Sequence, residues 1–253
     1  IVDAIPYVLD GQTALKQLFL LADEFGEYGH EEEPVYSPFN QTIKRFNKII
    51  LHNLTFKYKQ MDQSLDFSIG PFNVEINSGE IVFITGGNGS GKTTLIKLLT
   101  GLYQLESGEI WIDEKRVNMG HHKYLFNAIF SDYYIFEKLY GLDDIDENKI
   151  YELLSLMDLN NKVQWINHKF STTNLSTGQR KRLALLVTLL ENRPIYIFDE
   201  WASDQDAHFR HFFYESLLPS FKKQGKTIIA VTHDDAFFHV ADKLIRLDYG
   251  QII

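Results

Sequence analysis

Between Ile81 and Thr100 the chain changes character twice. A short apolar run, Ile81 to Thr85, gives way to Gly86-Gly87-Asn88-Gly89-Ser90-Gly91-Lys92-Thr93, and a helical pattern runs on from Lys92 to Thr100. A strand that empties into glycines and then directly into a helix fits few folds, because the backbone must turn tightly at a sheet edge. Two further apolar runs of the buried-strand type, Ile195 to Phe198 and Thr227 to Thr232, also stop at polar clusters. Helical patterns lie around them at Asp146 to Met157, Ser176 to Glu191 and Asp206 to Phe221. Strands alternating with helices predict an α/β chain with a mostly parallel sheet and helices on both faces. Ligands of such sheets bind beyond the carboxyl ends of the strands, which is where the polar clusters fall. Ahead of Ile81 the pattern is extended instead: Ile49 to Leu51, Leu54 to Tyr58, Phe67 to Ile69 and Phe72 to Ile76. Turns at Gly70-Pro71 and Ser78-Gly79 are expected to separate these strands.

The glycine segment matches G-x-x-x-x-G-K-[ST] in the strand–helix setting that the motif requires. Glycines let backbone N–H groups turn inward and crowd a phosphate chain, and the following helix adds its positive end. Lys92 is expected to reach the β- and γ-phosphates of a nucleotide, and the Thr93 hydroxyl to ligate Mg²⁺. Gly87, Asn88, Gly89, Ser90, Gly91 and Thr94 complete the expected phosphate-binding set. The second apolar run ends in Asp199-Glu200. Two acids at a strand end are ordinarily a solvated turn, but behind a phosphate loop they acquire roles. Asp199 is expected in the Mg²⁺ shell, and Glu200 to orient or deprotonate the attacking water.

Composition removes competing classes. Hydrophobic residues are 44% of the chain, which excludes a disordered one. The absence of cysteine removes disulfides, thiolate zinc sites and cysteine nucleophiles together. The net charge of −9 disfavours a duplex-binding surface, so nucleic acid is not expected as a partner. No apolar stretch approaches the ~18 residues of a membrane span. Residues 1–25 place apolar side chains at helical intervals, and an acidic, turn-rich linker is expected over 26–47. His121-His122 reads as a solvated turn, and His208 with His211 lacks a third metal ligand.

Leu175-Ser176-Thr177-Gly178-Gln179 precedes a helix whose Leu183, Leu186, Val187 and Leu190 form one face. The Ser176–Gln179 spacing is that of a capping box, a structural reading sufficient in itself. The segment also resembles the L-S-G-G-Q signature of the ABC-transporter ATPases. Over residues 48–253 the phosphate loop, this signature, the Asp199-Glu200 pair and His233 stand in that family's order. The resemblance implies a P-loop NTPase fold: a mostly parallel core sheet, an N-terminal antiparallel β subdomain, and a small helical subdomain over about 121–190. It implies ATP with Mg²⁺, and a head-to-tail dimer in which Ser176, Gly178 and Gln179 of one copy complete the nucleotide site of the other. It makes His233 the switch histidine beside the γ-phosphate. Tyr58 becomes the aromatic that stacks on adenine, with Phe56 the competing assignment.

A closer likeness is to the cyclic-peptide and siderophore exporters of the pyoverdine and syringomycin type. It rests on Gly86-Gly87-Asn88-Gly89-Ser90-Gly91-Lys92, Asp199-Glu200-Trp201-Ala202-Ser203-Asp204-Gln205-Asp206, His233-Asp234-Asp235 and the tail from Ala241 to Gly250. Such proteins carry membrane helices on the same chain. Residues 1–25 are therefore expected to be the cytoplasmic end of the last one, and the ATPase to work at the cytoplasmic face of the inner membrane. Two departures from the family stand out. Asp204 and Gln205 replace the middle of a loop that is commonly S-A-L-D, and Ser131 falls near a position usually held by Gln. The alternative reading is a soluble ABC ATPase acting on nucleic acid or ribosomes. The short span between Lys92 and Ser176 leaves no room for a long coiled-coil insertion, and this disfavours it.

Overall fold

A computed structural model describes residues 43, 45–58, 68–142 and 145–253. The helical pattern of residues 1–25 and nearly all of the expected linker lie outside these.

The extended N-terminal patterns form an antiparallel sheet. Strands β1 (Lys48–Lys57) and β2 (Ser68–Asn77) pair with each other, and β4 (Ser107–Ile112) and β5 (Lys115–Val117) continue in the order β2-β1-β4-β5. Gly70-Pro71 does not end a strand as expected. β2 runs through it, and the irregularity is absorbed by register shifts against β1 around Leu54. A ladder can take such a shift because the extra residue only bends the strand. Ser78-Gly79 does turn the chain, into β3 (Ile81–Gly86).

β3 lies inside a six-stranded sheet with β6 (Phe126–Ile129), β9 (Ile195–Asp199), β10 (Thr227–Val231), β11 (Lys243–Asp248) and β12 (Gln251–Ile252). The order is β12-β11-β3-β10-β9-β6, parallel throughout except for β12. Alternation along each strand sends side chains to opposite faces. Ile81, Phe83, Tyr196, Phe198, Ile228 and Ala230 join one core, while Val82, Ile84, Ile195, Ile197, Ile229 and Val231 join the other. Both faces are covered, so these strands read as unbroken apolar runs. The first core is closed by helices α2 (Glu147–Leu156), α3 (Thr177–Glu191), α4 (Ala207–Phe212) and α5 (Leu218–Lys223). The second is closed by α1 (Lys92–Leu99) and the antiparallel sheet.

The helix predicted over Asp206 to Phe221 is interrupted by a π-helical turn, Phe213–Leu217. Pro219 lacks the N–H that would bond Glu215, and the wider turn accommodates that loss. The segment expected to be a helical subdomain begins within a 3₁₀ helix, Met119–Leu125, and then gives a strand to the central sheet, β6. Asn127 hid it: buried mid-strand, its Nδ2 donates to the Thr188 carbonyl at 2.7 Å. The remainder holds α2, a two-residue-per-strand hairpin of β7 (Trp165–Ile166) and β8 (Lys169–Phe170), and α3.

Strand register builds the site. Ile84 pairs with Val231, Val231 with Asp199, and Phe198 with Ile129. The chain therefore leaves β3 at the glycine loop, β9 at Glu200, β10 at His233 and β6 at Ser131 along one carboxyl edge.

Candidate nucleotide-binding and hydrolytic site

The glycine loop delivers an open helix end. Gly91 is the N-cap of α1 with φ 99°, a left-handed conformation that favours glycine, and no side chain caps the first turn. The N–H groups of Lys92, Thr93 and Thr94 thus have no acceptor within the helix, the arrangement that attracts an anion. Ser90 Oγ is buried beside them and has no hydrogen-bond partner. The Lys92 ammonium, itself buried, turns back onto the carbonyls of Gly86 and Gly87 at 3.0 and 2.9 Å. Gly87, Asn88 and Gly89 are exposed at the rim. An orphaned hydroxyl, a bare helix end and a folded-back cation fit a phosphate chain.

Asp199 is 1% exposed at the end of β9, and Thr93 Oγ1 donates to its carboxylate at 3.1 and 3.3 Å. Burial pushes the Asp199 carboxyl above its ordinary range and the Glu200 charge adds to this, against the Thr93 hydroxyl, the Ser131 N–H and Lys92. A hydroxyl and a carboxylate converging beside a phosphate site are a donor set suited to Mg²⁺. At neutral pH the fold opposes the ionised form of Asp199, because a raised native pKa means stability is lost as pH rises through it. Asp199→Asn should therefore raise the melting temperature of the nucleotide-free protein at pH 7, a gain that shrinks as pH falls below the raised pKa. A lower melting temperature for the variant would contradict this electrostatic account of the site.

Glu200 follows with φ 50° and ψ 36°, its N–H bound to the Val231 carbonyl at 3.1 Å. Its Oε1 lies 3.3 Å from His233 Nε2, and both side chains are part-exposed. Tyr58 faces the same cleft, lined by Asn88 to Thr94 and Glu200. Its hydroxyl bonds Thr94 Oγ1 at 2.6 Å. Phe56, the competing aromatic, stacks on Tyr103 with centroids 5.1 Å apart.

The signature segment caps α3 as its spacing predicts. Ser176 Oγ accepts from the Gln179 N–H, and Gln179 Oε1 accepts from the Ser176 N–H, both at 3.3 Å. The Gln179 side chain is thereby turned to its own helix end, while Ser176 and Thr177 are exposed. A Cβ at Gly178 would sit 2.5 Å from the Asp204 carbonyl oxygen, so only glycine allows α3 this close to the loop after β9. Sequence reasoning passed over what holds that loop. Arg182 Nε donates to Gln205 Oε1 at 2.8 Å, and Gln205 Nε2 donates to the Gly178 carbonyl at 3.1 Å. Arg210 donates to the Ser203 and Gln205 carbonyls at 3.3 and 3.2 Å and faces Asp234 at 3.5 Å. The signal was present in the departures Asp204 and Gln205, opposite a run of three cations, Arg180 to Arg182.

Comparison with known proteins places the chain in a family. The family described as ABC transporter matches residues 69–203. ATP-binding protein SyrD of Pseudomonas syringae pv. syringae is 41% identical, with 100% of this chain and 46% of SyrD covered. Subtilin transport ATP-binding protein SpaT of Bacillus subtilis is 28% identical, covering 100% of this chain and 43% of SpaT. The chain thus spans less than half the length of these two relatives. A bacterial ABC transporter cassette solved as a dimer superposes with a TM-score of 0.68 at 25% identity, covering 81% of this chain and 96% of that one. The chain belongs to the ABC transporter family.

Proposed function

We propose that this chain is the ATP-binding and ATP-hydrolysing part of an ABC exporter, active as a head-to-tail pair of copies with Mg²⁺-ATP between them. The observation that carries the reading is the single carboxyl edge on which strand register gathers the phosphate loop, Asp199, Glu200 and His233. In this reading the N–H groups of the first turn of α1 and the Lys92 ammonium bind the phosphates, and Tyr58 packs on the adenine. Thr93 and Asp199 hold Mg²⁺, which when bound neutralises charge on the transferring phosphoryl group. Glu200 takes a proton from the attacking water, and His233 Nε2, within reach of Glu200 Oε1, orients the water and the γ-phosphate oxygens. Ser176 and the Gly178 N–H of the second copy cap the γ-phosphate from the opposite side. The exposed end of α3 and the dimeric form of the related cassette support that arrangement. Closure on ATP and reopening after hydrolysis would move attached membrane helices between two states.

No helix among the described residues is long and apolar enough to cross a membrane, and the membrane helices of this reading lie outside those residues. The cytoplasmic face of the membrane is the setting this reading requires. A peptide or siderophore-like cargo is supported by the motif likeness and by the subtilin transport assigned to SpaT. Purified protein should release phosphate from ATP only when Mg²⁺ is present. Phosphate release unaffected by chelation of the metal would contradict the roles given to Thr93 and Asp199.

A further inference from the structure

Two buried cations of α3 hold the loop from Glu200 to Asp206: Arg182 reaches Gln205 near its end, and Lys181 reaches Glu200 at its start. Lys181 is 4% exposed, and its ammonium group has three hydrogens to place. Three acceptors meet it: the Glu200 carbonyl at 2.6 Å, Asp204 Oδ2 at 2.7 Å and Ser203 Oγ at 3.3 Å. The tie runs both ways, since the Trp201 indole N–H donates to the Lys181 carbonyl at 2.9 Å. A buried ammonium is tolerated only with its charge compensated, and Asp204 supplies the compensation. Ser203 Oγ also donates to the Glu200 carbonyl, at 2.6 Å. These bonds converge on a residue whose backbone is left-handed although it carries a Cβ, a conformation that persists only where its surroundings over-determine it. The Glu200 peptide groups are accordingly held on both sides, the N–H by β10 and the C=O by Lys181 and Ser203.

We propose that Lys181 is a positioning residue for hydrolysis: paired with Asp204, it locks the Glu200 backbone in the conformation that aims its carboxylate across the carboxyl edge towards His233. The inference rests on the reading of Glu200 as the acid that handles the water. It also gives Asp204 a partner within its own chain. Lys181→Met keeps the stem and removes all three donors. Because none of them touches the phosphate loop, binding of ATP and its catalysis should separate.

The test is Mg²⁺-ATP turnover by the full-length protein. Lys181→Met should lower kcat on the order of 10²-fold, the cost of displacing a catalytic group by about an ångström, with KM for ATP little changed. Lys181→Gln, which retains two donors, should recover part of the loss, and it remains informative if the Met variant does not fold. In a Glu200→Gln background, single-turnover hydrolysis should fall no further when Lys181→Met is added, because the lysine acts through that carboxylate. Unchanged kcat in both Lys181 variants would overturn the proposal. So would an equal multiplicative loss in the Glu200→Gln background. A wild-type protein whose turnover is indifferent to Glu200→Gln would instead fail the underlying reading of Glu200, and the positioning role would fall with it.

Discussion

Glu200→Gln is expected to lower steady-state ATP turnover about 10²–10⁴-fold, the range a positioned general base supplies, while leaving nucleotide binding intact. Glutamine preserves the size of the side chain and can still bond His233, which lies 3.3 Å from Glu200 Oε1. It cannot accept a proton from water. The backbone clamp around residue 200 uses only main-chain groups of that residue, so the substitution leaves the loop in place. Held before hydrolysis, the ATP-bound pair of copies should accumulate, and light scattering should report twice the mass when ATP is added. Wild-type turnover in the variant would remove Glu200 from the mechanism. A variant that binds ATP at high concentration yet keeps the mass of one copy would count against completion of the site by a second copy.

Lys92→Ala should abolish measurable turnover by a different route. The Lys92 ammonium is buried at the start of α1 and rests on two loop carbonyls, so it is poised to exchange those partners for phosphate oxygens. Removing one preorganised donor of charge costs about 10²–10³ in rate. Here the same group also binds the ground state, so ATP affinity should fall together with kcat. The fold should survive, because the carbonyl of exposed Gly87 can turn to water. Retained turnover with retained ATP affinity would sink the phosphate-loop assignment.

The parts that could be read in the chain are those where local chemistry and tertiary structure ask for the same residues. The phosphate loop needs glycines at fixed places, the buried strands need unbroken apolar runs, and the α3 cap needs Ser176 three residues before Gln179. Each requirement leaves a local trace, and each element formed within a residue or two of expectation. What escaped depends on distant partners. β6 was obscured by Asn127, whose polarity is satisfied 61 positions away by a helix carbonyl. Gly70-Pro71 carries a strong local turn signal, yet pairing of the flanking Ile69 and Phe72 with β1 carries the strand through it. Asp204 and Gln205 stand in the sequence as departures from a family loop, and only the structure sets Lys181, Arg182 and Gly178 against them. A buried lysine leaves no mark that distinguishes it from a solvated one in a run of basic residues.

The arrangement of two copies is best tested by complementation in the full-length protein. Lys92→Ala disables the phosphate loop, and Ser176→Arg places a bulky side chain at the exposed end of α3. Loss of the serine cap costs only about 1 kcal/mol, so the second variant should remain folded. Each variant alone should be inactive. Co-assembled head to tail, they form one nucleotide site that has both an intact loop and an intact signature, and ATP turnover should return. If Ser176→Arg alone hydrolyses ATP normally, or the mixture stays as inactive as its components, the site is not shared between two copies and the account is wrong.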